Sequence, residues 1–431
     1  MDCIDKINFD EKIFDTRDIS QIKVLHITPY FLPKIGGAEI GLYTLCEALN
    51  NVGVKSVVLT NGQSLESNVL DKLRIRPRIN PQIRSHEKIG NVTIFRYQPI
   101  IFLRFLNSQL AKISNNTISI QHIEGVFETC KIIKNENVDI IHLQYFKNTS
   151  LLGYFAKKIL KKPLIINLVG DDIYDPIIPV HDNQWRYYSK LLMKCSAIVA
   201  ACPFVKNIIK EKTGREDIQI IPYGVDTNKF KRLEGSDTSH LKKKYGIADT
   251  DKVVIAVQRP DSRKKVEILI YAAKKVINKI PNTKFLIVGD GPERVRLEKL
   301  TEELHLAQNI IFIGKISEDE LIICYSIADI FSIHTLHEGF GIVYIEAMSM
   351  GLPIVTTYAH GNEDIIKNEK NGFMVEPNNS DKLAEKIIFI LANDEIRNEI
   401  ARHNREEAVE KYDLNNIARK WQELYREVIC K

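Results

Sequence analysis

DIFSIHTLHEGFGIVYIEAMSMGLPIVTT, residues 329 to 357, reads as a complete strand–turn–helix–strand unit. DIFSI (Asp329–Ile333) and PIVTT (Pro353–Thr357) are short apolar runs bounded by turn-forming residues, the mark of strands. Between them a glycine-bearing turn gives way near Gly341 to a helix whose residues, Glu346 apart, are nearly all apolar. Such a helix is buried on most sides. Two strands joined through a helix lie parallel in one sheet.

The same alternation extends outward from this unit. Downstream, GFMV (Gly372–Val375) adds a strand. Upstream lie VVIAV (Val253–Val257), KFLIVG (Lys284–Gly289) and IIFIG (Ile310–Gly314), with a helix opening at the capping-box spelling Ser317-x-x-Glu320. The first half repeats the pattern with KVLHIT (Lys23–Thr28), VKSVVLT (Val54–Thr60), VTIFRY (Val92–Tyr97), VDIIHL (Val138–Leu143), PLIINLV (Pro163–Val169) and AIVAA (Ala197–Ala201). These runs do not alternate with polar residues, so both sheet faces are buried. The expected architecture is α/β: two Rossmann-like, doubly wound parallel-sheet domains facing a central cleft. The pattern pauses from about Pro203 to Lys252, which sets the linker near 222–250 and the domains at 1–222 and 223–413. A helical stripe from Leu414 to Val428, carrying Trp421 and Tyr425, must bury one face. It is expected to cross back onto the first domain, so that helix 414–431 belongs with it.

Composition narrows the function classes. The chain has 431 residues, 44% hydrophobic and 27% charged, with a formal charge of +5. That length suits two domains, and so small a charge argues against nucleic acid as a partner. The acidic start lacks a signal-peptide core, and no apolar run approaches a membrane span, so a cytoplasmic location is expected. Seven scattered cysteines, none in C-x-x-C spacing, read as free thiols. No histidine spacing suggests a metal site. Asp249-Thr250-Asp251 lies in a polar connector and reads as a turn, and Pro292 in GDGPERV suits a first helical position.

Four segments carry candidate chemistry. In the opening unit, the free N–H groups at the helix start near Gly341 favour an anion such as phosphate. Glu346, inside that apolar helix, needs partners, and sugar hydroxyls are good ones. Glu338 in the turn offers a second carboxylate. The competing reading is an exposed turn carboxylate and a salt-bridged helix carboxylate. In VQRPDSRKK (257–265), Arg259 and Lys264 follow a strand's carboxyl end, where open α/β sheets bind ligands, and they suit a diphosphate; the alternative is a solvated basic loop. Gly36 and Gly37 open a helix after the first strand, where backbone can approach a ligand closely or simply pack. Asp171 and Asp172 follow PLIINLV and suit either an acceptor hydroxyl, with general-base work, or helix capping. His142 and His360 stand near strand ends, for structure or acceptor contact. Lys157, Lys158, Lys161 and Lys162, with PIIFLRFL (99–106), supply the parts of a peripheral contact with anionic lipid; a solvated helix face and a buried helix explain them more simply.

Taken in order, GGAE (36–39), DIIH (139–142), GDD (170–172), IPYGVD (221–226), VQRPDSRKK (257–265), LIVGDGP (286–292), FIGKI (312–316), EGFGIVYIEAMSMGLPIV (338–355) and NGFMV (371–375) resemble the retaining glycosyltransferase family 4 with the GT-B fold, from about residue 22 to 428. The ordered set, with its E-x7-E, carries the resemblance. It implies a metal-independent hexosyltransferase that uses a UDP- or GDP-sugar as substrate and no cofactor. Its acceptor would be a glycan or lipid-linked acceptor. By the resemblance Glu338 contacts the donor sugar and Glu346 the ribose. The segment Gly339, Phe340, Gly341 and Ile342, with Arg259 and Lys264, holds the diphosphate. Gly36 and Gly37 close on the phosphates, and Lys315 and Ile316 lie near the base. Arg259, Lys264, Glu338 and Asp172 form the catalytic set, and Glu39, His142 and Asp171 the acceptor side. Three places depart from the family pattern: Val169 stands where a histidine is usual, Gln258 where a glycine is usual, and His360–Asp364 reads HGNED. The other readings are a GT-B sugar-nucleotide epimerase, a pyridoxal-phosphate phosphorylase, for which the chain lacks the length and a Schiff-base lysine, and a non-catalytic homologue, which the retained Glu338, Glu346, Arg259 and Lys264 oppose.

Overall fold

The computed structural model describes residues 21–32, 36–61, 87–97, 120–146, 150–170, 172–174, 182–233 and 236–431. Runs of Val, Ile and Leu place β1 (Ile22–Thr28), β2 (Val54–Asn61), β4 (Val92–Tyr97), β5 (Ile140–Gln144), β6 (Leu164–Leu168) and β7 (Ala197–Ala200) in one sheet, with β3 (Glu87–Ile89) and β8 (Ile218–Ile220) at its edges. The order is β3-β4-β2-β1-β5-β6-β7-β8, parallel throughout except that β3 runs antiparallel to β4. A second sheet holds β9 (Lys252–Val257), β10 (Thr283–Val288), β11 (Ile310–Gly314), β12 (Ile330–Ser332), β13 (Ile354–Thr357) and β14 (Gly372–Val375), all parallel, in the order β11-β10-β9-β12-β13-β14. This is the GT-B arrangement of two Rossmann-like units. Strand order reverses between β1 and β5 in the first sheet and between β9 and β12 in the second. Crevices for ligands open at such points.

The stretch from Pro203 to Lys252, expected to interrupt the pattern, does not. It contains a helix (Pro203–Thr213), β8 and a second helix (Ser236–Lys244). β8 is only three residues long and two of them, Gln219 and Ile220, are exposed, so no buried apolar run announces it. Ser317 accepts from the Glu320 N–H, but the Glu320 carboxylate turns to Lys244 at 2.6 Å rather than completing the box. The helix after GDGPERV starts at Arg294, which leaves Pro292 in the preceding turn rather than at the first helical position.

The helix Leu414–Cys430 lies on the first sheet. Trp421, Leu424, Tyr425 and Val428 bury against Ile22, Val24, Ile140 and Ile165 of the strands and Leu45 and Leu49 of the helix Gly37–Asn51. The chain therefore crosses between the two sheets twice, and the crossings pair with each other. Val225 N–H donates to the Tyr412 carbonyl at 2.8 Å, Leu414 N–H to the Val225 carbonyl at 3.0 Å, and Thr227 Oγ1 to Asp413 at 2.6 Å. Arg405 ties the forward crossing to the second unit by donating to the carbonyls of Thr227, Phe230 and Ser349.

Six free cysteines stand among the described residues, and all but Cys430 are buried. Of the four lysines considered for lipid contact, Lys157 is drawn into packing, its Nζ donating to the Lys194 carbonyl at 2.6 Å. Lys158 and Lys161 are exposed, and 99–106 lies outside the described residues. No described helix is long and apolar enough to cross a membrane.

Candidate active site

The second unit contributes one wall of the cleft. After β12 the chain turns through Leu336–Phe340, and Gly341, at φ +73°, caps the helix Ile342–Ser349. A left-handed residue is needed there, and glycine adopts it without a Cβ penalty. Glu338 lies in this turn, its Oε2 2.7 Å from Lys264 Nζ, with both side chains 17% exposed. The structure thus joins two candidates 74 residues apart in the chain. Arg259 is exposed just beyond β9, and Gln258 beside it is buried with neither carboxamide atom hydrogen-bonded among the described residues. Lys315 is exposed and Ile316 half-buried, directly after β11. Glu346 is half-buried in the helix. Desolvation pushes its carboxyl up to about 7, against the pull of Tyr325 Oη, which donates to it at 2.9 Å.

The first unit closes on that wall through glycines. A Cβ at Gly339 would sit 2.5 Å from the Val169 carbonyl oxygen, and one at Gly170 would sit 2.6 Å from Gly339 Cα. On the other side Gly361 packs so tightly on the Gly339 carbonyl that a Cβ would overlap it. Around this contact Phe204 N–H donates to Asp364 at 2.7 Å, Phe204 stacks on His360, and Tyr174 Oη lies 3.2 Å from His360 Nε2. The departures Val169 and His360–Asp364 therefore meet at one seam. Gly36 caps the helix Gly37–Asn51, with the Glu39 carboxylate folded against it; Gly37 faces open space. Further along that helix, Gly41 approaches the Ile342 side chain of the opposite wall.

Two candidates from the sequence are corrected here. Asp172 is buried, and its oxygens accept from the N–H groups of Val169 (3.2 Å), Gly170 (3.0 Å) and Phe146 (3.0 Å). Burial pushes its carboxyl up to about 6 while these donors pull it down. With its oxygens committed to backbone, it staples a loop to the end of β5 and is not placed for general-base work. His142 is fully buried, 2.8 Å from Tyr425 Oη with its ring tilted 4.6 Å from that of Trp421, so it anchors the helix Leu414–Cys430 and is not placed to touch an acceptor. Asp171 lies outside the described residues.

Two tyrosines the sequence did not single out meet at the cleft, Tyr145 and Tyr223. Tyr145, one residue past β5, has φ +70°, and its Oη lies 3.3 Å from Tyr223 Oη. Tyr223 in turn packs on Phe340 across the cleft, ring centroids 5.6 Å apart. Nothing local in the sequence marks the contact they make.

Comparison with known proteins agrees with this geometry. Residues 35–229 match the family described as Glycosyltransferase Family 4, and residues 237–407 match Glycosyl transferases group 1. The N-acetyl-alpha-D-glucosaminyl L-malate synthase of Bacillus anthracis is 24% identical over 92% of this chain and 95% of its own. A GDP-mannose-dependent monoacylated alpha-(1-6)-phosphatidylinositol monomannoside mannosyltransferase of Corynebacterium glutamicum is 33% identical over 62% of this chain and 70% of its own. In fold, the chain resembles Anabaena HepE, solved with UDP and glucose, at a TM-score of 0.73 and 22% identity, covering 94% of this chain and 100% of that one.

Proposed function

This chain belongs to the GT-B glycosyltransferases of family 4, and from that premise we propose a retaining, metal-independent transfer of a hexose from a UDP- or GDP-sugar to a glycan or glycolipid acceptor. The observation that carries the reading is the Lys264–Glu338 pair beside the helix start at Gly341, facing the glycine-opened helix of the first unit. A cation and free N–H groups suit a diphosphate, and carboxylates next to them suit hydroxyls. In the proposed reaction the bond from the anomeric carbon to the phosphate oxygen breaks and a bond to the acceptor oxygen forms on the same face. The acceptor's proton passes to the leaving diphosphate, so no protein nucleophile or buried aspartate base is required. Lys264, Arg259 and the N–H groups after Phe340 stabilise the charge that grows on the leaving group. Glu338 receives hydroxyls of the sugar and Glu346 those of the ribose, with Lys315 and Ile316 beside the base. Closure at the glycine seam excludes water and protects the donor from hydrolysis. Where the acceptor is a glycolipid, the first domain meets the cytoplasmic face of the membrane peripherally.

The UDP bound by HepE and the GDP-mannose named for the Corynebacterium relative support the choice of donors. The test is thermal stabilisation by a panel of UDP- and GDP-sugars, repeated with Glu346→Ala. Stabilisation of the wild type by at least one of them, lost in the variant, is expected. No response from the wild type overturns the donor class, and an equal response from Glu346→Ala removes Glu346 from the site.

A further inference from the structure

The sequence Cys202-Pro203-Phe204 opens the helix Pro203–Thr213 of the first domain without the means to cap it. Cys202, at the cap position, makes no side-chain bond to the helix start among the described residues. Pro203 has no N–H, so the first donor left open is that of Phe204. The second domain fills the gap. Asp364 Oδ2 accepts from the Phe204 N–H at 2.7 Å, as the side chain of a capping residue would. Its charge also suits the positive end of the helix dipole. The turn Gly361–Asp364 is entered through His360, whose φ of +54° and ψ of −89° lie where a residue with a Cβ is rarely found. Two rings of the first domain flank it there. Phe204 stacks on its ring, 9° from parallel with centroids 5.1 Å apart, and Tyr174 Oη lies 3.2 Å from its Nε2. Behind His360 the backbone leads to the donor wall: Gly361 N–H donates to the Glu338 carbonyl at 3.2 Å, and Glu338 and His360 form a parallel bridge. Tyr174, Phe204 and Asp364 are half-buried and His360 is exposed, so none is sealed in the core of its own domain.

We propose that these four residues form a latch that keeps the domains closed before any ligand arrives. All of the contacts just described between Tyr174 or Phe204 and His360 or Asp364 cross from one domain to the other, and opening breaks them together and leaves the helix start at Phe204 uncapped. Closure then does not wait for a nucleotide to bridge the walls, and entry of a ligand requires the latch to break first. His360 and Asp364 are also positioning residues, since the first domain bears on the Glu338 turn through them. The latch is built from HGNED (360–364), a stretch that departs from the family pattern, so it belongs to this chain rather than to the fold. It goes beyond the transferase reading, and the closed resting state does not depend on that reading.

Small-angle scattering of the ligand-free chain tests it, with Asp364→Ala, Asp364→Asn and His360→Gly beside the wild type and each variant first shown to melt cooperatively. Asparagine keeps an acceptor for the Phe204 N–H. Glycine removes the ring while easing the positive-φ backbone, so lost stability cannot imitate a lost latch. The wild type and Asp364→Asn are expected to be compact, and Asp364→Ala and His360→Gly larger by on the order of 1 Å in a radius of gyration of roughly 22 Å. Adding UDP or GDP is expected to leave the wild type unchanged and to draw the two open variants back towards it, with nucleotide association about tenfold faster in them. Ligand-free profiles that coincide overturn the proposal. So does a wild type that contracts on nucleotide binding, or an Asp364→Asn variant as open as Asp364→Ala. Binding of neither UDP nor GDP overturns the donor class instead, and the ligand-free profiles still decide the latch.

Discussion

Glu346 and Glu338 are carboxylates on one cleft wall held in opposite ways, one by apolar surroundings and one by a cation. The raised carboxyl of Glu346 sets a sign for pH dependence. Its pKa in the folded chain, about 7, lies above the ordinary glutamate value, so the folded state holds its proton over a range where the unfolded chain has lost it. Stability therefore falls as pH rises from about 4.5 to about 7 on this account, and Asp172, at about 6, adds to the fall in the lower part of the window. A melting series across this range is expected to show the decline, with Glu346→Gln flattening its upper part; a variant with an undiminished slope would refute the assignment. If Glu346 holds the ribose as proposed, its hydroxyls favour the ionised carboxylate, and nucleotide affinity is expected to rise as pH passes through 7, measurable by calorimetric titration at several pH values. Lys264→Met removes the partner of Glu338, whose carboxylate is only partly hydrated. Expected are a loss of about 1–2 kcal/mol in denaturant unfolding and about 100-fold in turnover. That Lys264 and Glu338 come together could be anticipated from the chain, because each follows a predicted strand. The contact of Tyr145 with Tyr223 could not, since it depends on a left-handed backbone that tyrosine does not announce. For Asp172 and His142 the sequence left a structural reading open beside the chemical one; what favours it in the fold includes Phe146 and Tyr425, 26 and 283 residues away, which no local pattern shows.

Among the elements, the helix Leu414–Cys430 answers most directly to its sequence: a stripe ending in Trp421, Leu424, Tyr425 and Val428 becomes the cover of the first sheet. Trp421→Ala is expected to cost about 3–5 kcal/mol, since its side chain is almost wholly buried. Tyr425→Phe keeps the volume and leaves His142 without its phenol, for about 1 kcal/mol. Urea unfolding of both variants checks the ranking; an alanine variant as stable as the wild type would mean that the helix adds nothing to this core. The twelve strands anticipated from apolar runs are present because burial on both faces leaves a strong imprint. The edge strands β3 and β8 left none, each having three residues and mostly exposed side chains.

For the molecule as a whole, the proposed transfer makes the glycine seam the link between activity and closure. Gly339→Ala places a methyl group against the Val169 carbonyl, backbone that cannot yield as a side chain would. The variant is expected to bind nucleotide on its own wall almost normally yet lose roughly 100-fold or more in turnover, since transfer requires both walls. Small-angle scattering with bound nucleotide should show it more open than the wild type; equal profiles would detach the seam from catalysis.

The paired crossings at Val225 and Asp413 also order events in time. The first domain is discontinuous, and the helix that covers its sheet is synthesised only after the whole second domain. At a translation rate of about 5–20 residues per second, the strands of the first sheet wait roughly 10–40 s for Trp421 and Tyr425 to arrive. During that interval the apolar face formed by Ile22, Val24, Ile140 and Ile165 has no lid, while the second domain, contiguous in the chain, can already be complete. Chaperone demand during synthesis should therefore fall on the half of the protein that is made first and finished last.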